Sequence, residues 1–270
     1  MGAAVAVVQS LLALRSSCDY CAARPLGLCS ALGHGEAFGD LRDSRRAMRF
    51  VDAGEPVYRQ GEPCGDALSL VSGWLVQYQD LGDGRRQVLR FLVPGAIVGH
   101  QAAGLPRMTH GATALTSASL CVLPSARLTD LRARHSALNE RYLWMLERDS
   151  LLATDHLIAI GRRDARERVA GLLMELAVRS TGKADFAPGD TLTIPLTQVL
   201  VGEATGLTAV HVNRTLRGLR EAGVLDFRDR QLTILYPERA AAIADLGEDM
   251  LQLWARHDET GQEARSAREG

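Results

Sequence analysis

A chain of 270 residues with 46% hydrophobic content is long enough for two ordinary domains with packed cores, which excludes disorder of the whole. Its 31 Lys and Arg nearly balance 32 Asp and Glu, so there is no global basic bias and any contact with a polyanion must be local.

Met1 to Leu14 are mostly apolar, but they lack a basic n-region, fall short of a membrane span and precede no cleavage pattern. This predicts a cytoplasmic protein, not a membrane one, with a helical or loose N-terminal tail. The Met-Gly start does not complete a myristoylation signal, because Ala6 stands where Ser or Thr is required. Cys18, Cys21 and Cys29 follow as a C-x2-C-x7-C group, and Cys121 lies far downstream. An odd total of five cysteines without an export signal argues against a disulfide framework. The spacing alone admits an iron-sulfur cluster, a zinc site or free thiols. Cys64, in a Gly-Glu-Pro-Cys-Gly turn, reads as a loop thiol, and His34, His100 and His110 as surface or structural histidines.

From about Met48 to Pro124, β-like runs appear at Val57-Tyr58, Ala67 to Val71, Trp74 to Tyr78, Gln87 to Val93 and Ser119 to Leu123. Turn signals separate them at roughly the 8 to 12 residue interval of an all-β sandwich or barrel. Turn residues then almost vanish between Ser136 and Arg179, which predicts a long helix and, after Gly161, a second one. On the first helix Leu143, Leu146, Ser150, Ala153, Leu157 and Ile160 alternate spacings of three and four, the stripe of a coiled-coil seam. A second stripe, Leu138, Met145, Leu152 and Ala159, suits packing on the helix's own domain.

Beyond a Pro188-Gly189 loop, the segment from Leu196 reads as two short helices around a tight turn at Gly206. Thr197 and Thr208 are placed as N-caps, and Val199, Leu200, Ala204, Leu207, Val212, Leu216 and Leu219 can hold the helices together. The second helix would then present Val210, His211, Asn213, Arg214 and Arg217 outward. Arg can pair with guanine, Asn with adenine or phosphate, and Val with a thymine methyl. With Thr197, Gln198 and Thr208 at the helix starts, these residues form the expected DNA-reading set. After Gly223 two short strands around a polar turn read as a wing, and the charged tail from about Ala255 is expected to fray. Nucleophile elbow, P-loop and paired catalytic carboxylates are all missing, so the chain does not read as an enzyme.

The turns at Gly61-Glu-Pro and Val71-Ser-Gly, the segment Phe91-Leu-Val-Pro-Gly-Ala-Ile-Val-Gly, the Asp164-Ala-Arg-Glu-Arg-Val-Ala region and Leu207-Thr-Ala-Val-His-Val-Asn-Arg-Thr-Leu together resemble the CRP/FNR family of bacterial transcription factors. The resemblance runs from Cys18 to Tyr236 and implies an α+β chain. A cysteine-containing segment at 1–40 precedes a cyclic-nucleotide-binding-type β-roll at 41–134. A dimerisation helix follows at 135–163, a winged helix-turn-helix at 164–240, and a C-terminal helix with its tail at 241–270. It further implies a homodimer on double-stranded DNA with a two-fold symmetric operator, contact with RNA polymerase, and an effector or cofactor at the N-terminal domain. Family members that bind cyclic nucleotide hold phosphate with a Glu and an Arg late in the roll. Here that stretch, Gly95 to Thr113, offers Arg107 without the Glu, so cyclic AMP is not the expected signal.

The cysteines are similar to those of the FNR branch, in which three N-terminal cysteines and one distant one hold an oxygen-labile 4Fe-4S cluster. That resemblance assigns Cys18, Cys21, Cys29 and Cys121 as ligands. The alternative is a regulator of this type without a cluster, answering to another small ligand or using the cysteines as a thiol or zinc site. Two departures are evident. Val210, Asn213 and Arg214 stand where the FNR pattern has Glu, Ser and Arg, and Ala153 stands where that branch places an acidic residue on the dimer seam.

Overall fold

The computed structural model describes residues 18–33, 35–100 and 105–255. Two single-turn 3-10 helices, Cys18–Tyr20 and Leu28–Ala31, lead into α1 (Glu36–Ser44). Eight strands follow: β1 (Ala47–Val51), β2 (Pro56–Tyr58), β3 (Ala67–Ser72), β4 (Leu75–Asp80), β5 (Arg86–Leu92), β6 (Ile97–Val98), β7 (Gly111–Ala114) and β8 (Ala118–Leu123). They pair antiparallel in two sheets, ordered β1-β8-β3-β6 and β2-β7-β4-β5. Leu70, Leu75, Leu92 and Leu120 are fully buried in the roll core. Each such side chain contributes about 1.5 to 3 kcal/mol of burial.

The five apolar runs became strands, and β1, β6 and β7 were not anticipated. β1 buries Val51 alone, β7 is built of Gly, Ala and Thr, and β6 spans two residues, so none carries an alternation long enough to read. The short helices α1 and α2 (Ser125–Arg134) were missed as well.

The long helix is α3 (Ser136–Arg162). Its inner face packs Leu138, Tyr142 and Met145 against Leu28, Phe38 and Leu128, and Leu152 against Val178 and Trp254. Gly161 does not end it. The break comes at Arg163, where the next helix, α4 (Ala165–Thr181), starts on a capping box. The Asp164 carboxylate accepts from the backbone N–H of Arg166 (2.7 Å) and Glu167 (2.9 Å), and the Glu167 carboxylate accepts from Asp164 N–H (2.7 Å).

The last domain comprises β9 (Asp190–Thr193), α5 (Gln198–Thr205), α6 (Ala209–Glu221), β10 (Leu225–Arg228), β11 (Gln231–Ile234), α7 (Pro237–Ile243) and α8 (Glu248–Ala255). The two expected wing strands gain a third partner, giving the order β10-β11-β9. This domain docks on β5 of the roll. Gln87 Nε2 donates to Glu203 O at 2.9 Å, and Val88 and Phe91 share one core with Val201 and Leu216. The expectations for Met1 to Leu14 and for the tail beyond Ala255 lie outside the described residues.

Candidate nucleic-acid interface and thiol pocket

Two short helices set the DNA-facing surface. Thr197 Oγ1 caps α5 by accepting from Leu200 N–H, and Thr208 Oγ1 caps α6 by accepting from His211 N–H, both at 3.2 Å. Gly206 closes α5 in the left-handed conformation (φ 69°). The turn into α6 packs back on α5 at Gly202, where a Cβ would lie 2.4 Å from Leu207 O, so only glycine fits. Val201, Val212, Leu216 and Leu219 are buried between the helices and the rest of the domain. Val199, expected among them, is instead 57% exposed, because Val201 holds the inward position on the same helix.

Val210 (81% exposed), Asn213, Arg214 and Arg217 face outward, and His211 is half-buried. Asn213 Nδ2 donates to Gln198 Oε1 (3.2 Å), and Arg217 Nε to Glu221 Oε1 (2.8 Å). The N-terminus of α6 carries the positive end of its dipole beside these groups, which suits a phosphate backbone. At the wing tip Asp229 (φ 51°) and Arg230 (φ 63°) are both left-handed, the geometry of a two-residue type I′ hairpin turn.

On α3 the stripe Leu143, Leu146, Ser150, Ala153, Leu157 and Ile160 is exposed along its whole length, while Leu138, Met145 and Leu152 are buried. The apolar pattern did not single out the charged residues that share the inner face. Arg141, Arg148 and Asp155 are all buried there. Arg90 of β5 donates to Asp149, joining roll to helix. His156 Nε2 lies 2.5 Å from Glu175 Oε2, Glu175 Oε1 accepts from Arg179 Nη1 at 2.5 Å, and Arg179 Nη2 donates to Phe91 O at 3.1 Å. Burial works to raise the Glu175 carboxyl, but His156 and Arg179 outweigh it and hold the group at about 2. The same carboxylate raises the pKa of His156. Charged side chains break an apolar stripe, so periodicity hides them.

Cys18 sits in the first 3-10 turn, Cys21 directly after it, Cys29 in the second turn, and Cys121 on β8 opposite Met48 and Ser69. All four line one pocket, together with Arg24, Arg45 and Met48. Burial pushes the Cys29 thiol up to about 12 and the Cys121 thiol up to about 11, and neighbouring thiols add to both. Arg24 opposes the rise at Cys29 and Arg45 at Cys121. Among the described residues no three His, Cys, Asp or Glu side chains converge closely enough for a single metal ion. Cys64 is apart, packed against the roll core with its N–H on Pro106 O (3.1 Å). His110 lies 3.0 Å from Tyr58 OH and 2.8 Å from Gln77 Nε2, and His100 Nδ1 3.0 Å from Ser125 Oγ; His34 is outside the described residues. Arg107 Nη1 donates to Gly61 O (2.8 Å).

Residues 48–135 match the cyclic nucleotide-binding domain model and residues 167–242 the Crp-like helix-turn-helix domain model. The nitrogen fixation regulation protein FixK of Bradyrhizobium diazoefficiens is 29% identical over 84% of this chain and 93% of its own length. The transcriptional activator protein anr of Pseudomonas aeruginosa is 24% identical over 85% of this chain and 93% of its own. The solved structure of FixK2 from Bradyrhizobium japonicum superposes with a TM-score of 0.65 at 26% identity, covering 73% of this chain and 96% of that one. With its roll, long helix and helix-turn-helix in one continuous order, the chain belongs to the CRP/FNR family of DNA-binding transcription regulators, which are not enzymes.

Proposed function

We propose that this regulator is a homodimer that senses oxygen or a related redox signal through a 4Fe-4S cluster held by Cys18, Cys21, Cys29 and Cys121. The observation that carries the reading is that these four thiols, drawn from two distant parts of the chain, line a single pocket while Cys64 stands apart. The residues fit such a group. Four soft sulfur donors are the set it takes, and Arg24 and Arg45 beside them suit an anionic centre. When bound, it would supply a centre that oxygen degrades. With their pKa values raised by burial, Cys29 and Cys121 must release protons on ligation, so loading favours higher pH.

The exposed stripe on α3 supports a two-fold seam, which would set two α6 helices about 34 Å apart for successive major grooves of a palindromic operator. Contact with RNA polymerase and a cytoplasmic location belong to the same proposal. No described helix is long and apolar enough to cross a membrane. Cyclic AMP is not the proposed signal, since Arg107 is engaged by the Gly61 turn.

The test is iron and acid-labile sulfide analysis of anaerobically purified protein and of single Cys→Ser variants. Loss of iron in the Cys18, Cys21, Cys29 and Cys121 variants and its retention in Cys64→Ser is expected. Zinc, or no metal, in the parent protein would move the reading to a thiol or zinc site. Full iron in Cys121→Ser would overturn the ligand set.

A further inference from the structure

Among the described residues, the cysteine loop meets the long helix through Arg141. This side chain, on the inner face of α3, is only 4% exposed. Its Nε donates to Gly27 O (3.2 Å) and its Nη2 to Leu26 O (3.4 Å), and the guanidinium lies over the Trp144 ring, 4.3 Å from its centroid. Leu26 and Gly27 belong to the loop between Cys21 and Cys29. Gly27 O also accepts from Ser30 N–H (3.2 Å) and Ser30 Oγ (2.8 Å), so the carbonyl held by Arg141 is the one on which the turn carrying Cys29 is built.

On its other side the loop has no room to slip. A Cβ at Gly27 would lie 2.7 Å from Gly95 O, and one at Gly95 would lie 2.6 Å from Leu26 O. The segment is therefore pressed between the Gly95 turn of the roll and α3. Arg141 lies two residues before Leu143 and five before Leu146, the first members of the exposed stripe.

We propose that Arg141 is the positioning residue through which the cysteine loop sets the first half of α3, and hence the dimer seam. A guanidinium this buried requires its acceptors, because a buried charge stripped of its partners is far costlier than an exposed one. When the Cys29 turn moves, Gly27 O moves with it. Arg141 follows these two acceptors and α3 shifts with it, which alters the presentation of Leu143 and Leu146. This linkage deepens the redox reading, on which the nature of the signal rests, although the mechanical coupling itself requires no metal.

The test is a double-mutant cycle on the full chain, with Gly27→Ala to push the loop off Gly95 and Arg141→Met to cut the link while keeping its apolar length. The dimer dissociation constant is measured by sedimentation, and amide exchange is followed over residues 18–31. Gly27→Ala is expected to weaken the dimer about tenfold in the parent and by much less in Arg141→Met, a coupling within the range of linked sites. Additive effects would overturn the proposal. Should Gly27→Ala fail to fold, Arg141→Met alone decides: faster exchange over 18–31 with a weakened dimer supports the link, and unchanged exchange with an unchanged dimer refutes it. Arg141→Lys, which keeps the charge but not the two-pronged geometry, is expected to fall between. Iron content assayed on the same samples keeps the two readings separable, since coupling in iron-free protein would retain this inference and remove the cluster.

Discussion

Glu175 offers the sharpest test of the energetics. It is 1% exposed on α4, and it bridges His156 of α3 and Arg179, which in turn holds Phe91 O of the roll. The fall of its carboxyl from 4.5 to about 2 corresponds to about 3 kcal/mol of stabilisation of the folded chain at neutral pH. Removing one member of a buried pair typically costs about 3 to 5 kcal/mol, so Glu175→Gln should lose about 3 kcal/mol. The pH signs are opposite for the two partners. Glu175, lowered, stabilises above pH 4.5, and this is lost as pH falls through about 2. His156, raised above 6.5, stabilises fully below that value, and its share is lost as pH rises through the raised folded pKa. Stability from the pair is therefore greatest between about 4.5 and 6.5 and declines on both sides. Urea unfolding followed by circular dichroism and by the fluorescence of buried Trp254 measures both effects. A Glu175→Gln loss below about 1 kcal/mol, with the alkaline decline unchanged, would refute the reasoning.

Arg214→Ala should relax base preference at one pair of each half-site by about 1 to 3 kcal/mol; selected operators with the same preference in both proteins would mean that α6 docks otherwise. Ala153→Asp, at an exposed position of the α3 stripe, should drive the dimer toward monomer. Two carboxylates about 5 Å apart across the seam repel by about 3 kcal/mol at an effective dielectric of 20, and an unchanged dissociation constant in sedimentation would place the seam elsewhere. Gly202→Ala should destabilise the DNA-binding domain by about 1 to 3 kcal/mol, since its methyl would meet Leu207 O at 2.4 Å; a thermal midpoint equal to the parent's would contradict the close packing of the turn on α5.

The helix-turn-helix was legible because local rules act alone there. Thr197 and Thr208 cap as their residue types predict, and Gly206 takes the left-handed turn. On α3 a spacing of three and four sorted an exposed stripe from a buried one, since periodicity reports which face is apolar. Val199 was misplaced because α5 is only eight residues long, too short for periodicity to decide whether Val199 or Val201, two positions apart on opposite sides, faces inward. The convergence of Cys121 on Cys18, Cys21 and Cys29 followed from family resemblance; nothing in the spacing of β8 announces it. Arg141, Asp149 and Glu175 were invisible for another reason. Their partners, Gly27 O, Arg90 and His156, are set by tertiary packing between segments far apart in sequence, which no local pattern encodes.

The most direct test of the central claim is to record the visible spectrum and operator affinity of the same anaerobic sample before and after air. The account predicts about four irons and four sulfides per chain, a charge-transfer absorption that bleaches in air, and a loss of operator binding with the same time course. A colourless protein whose operator affinity is identical with and without oxygen would contradict it.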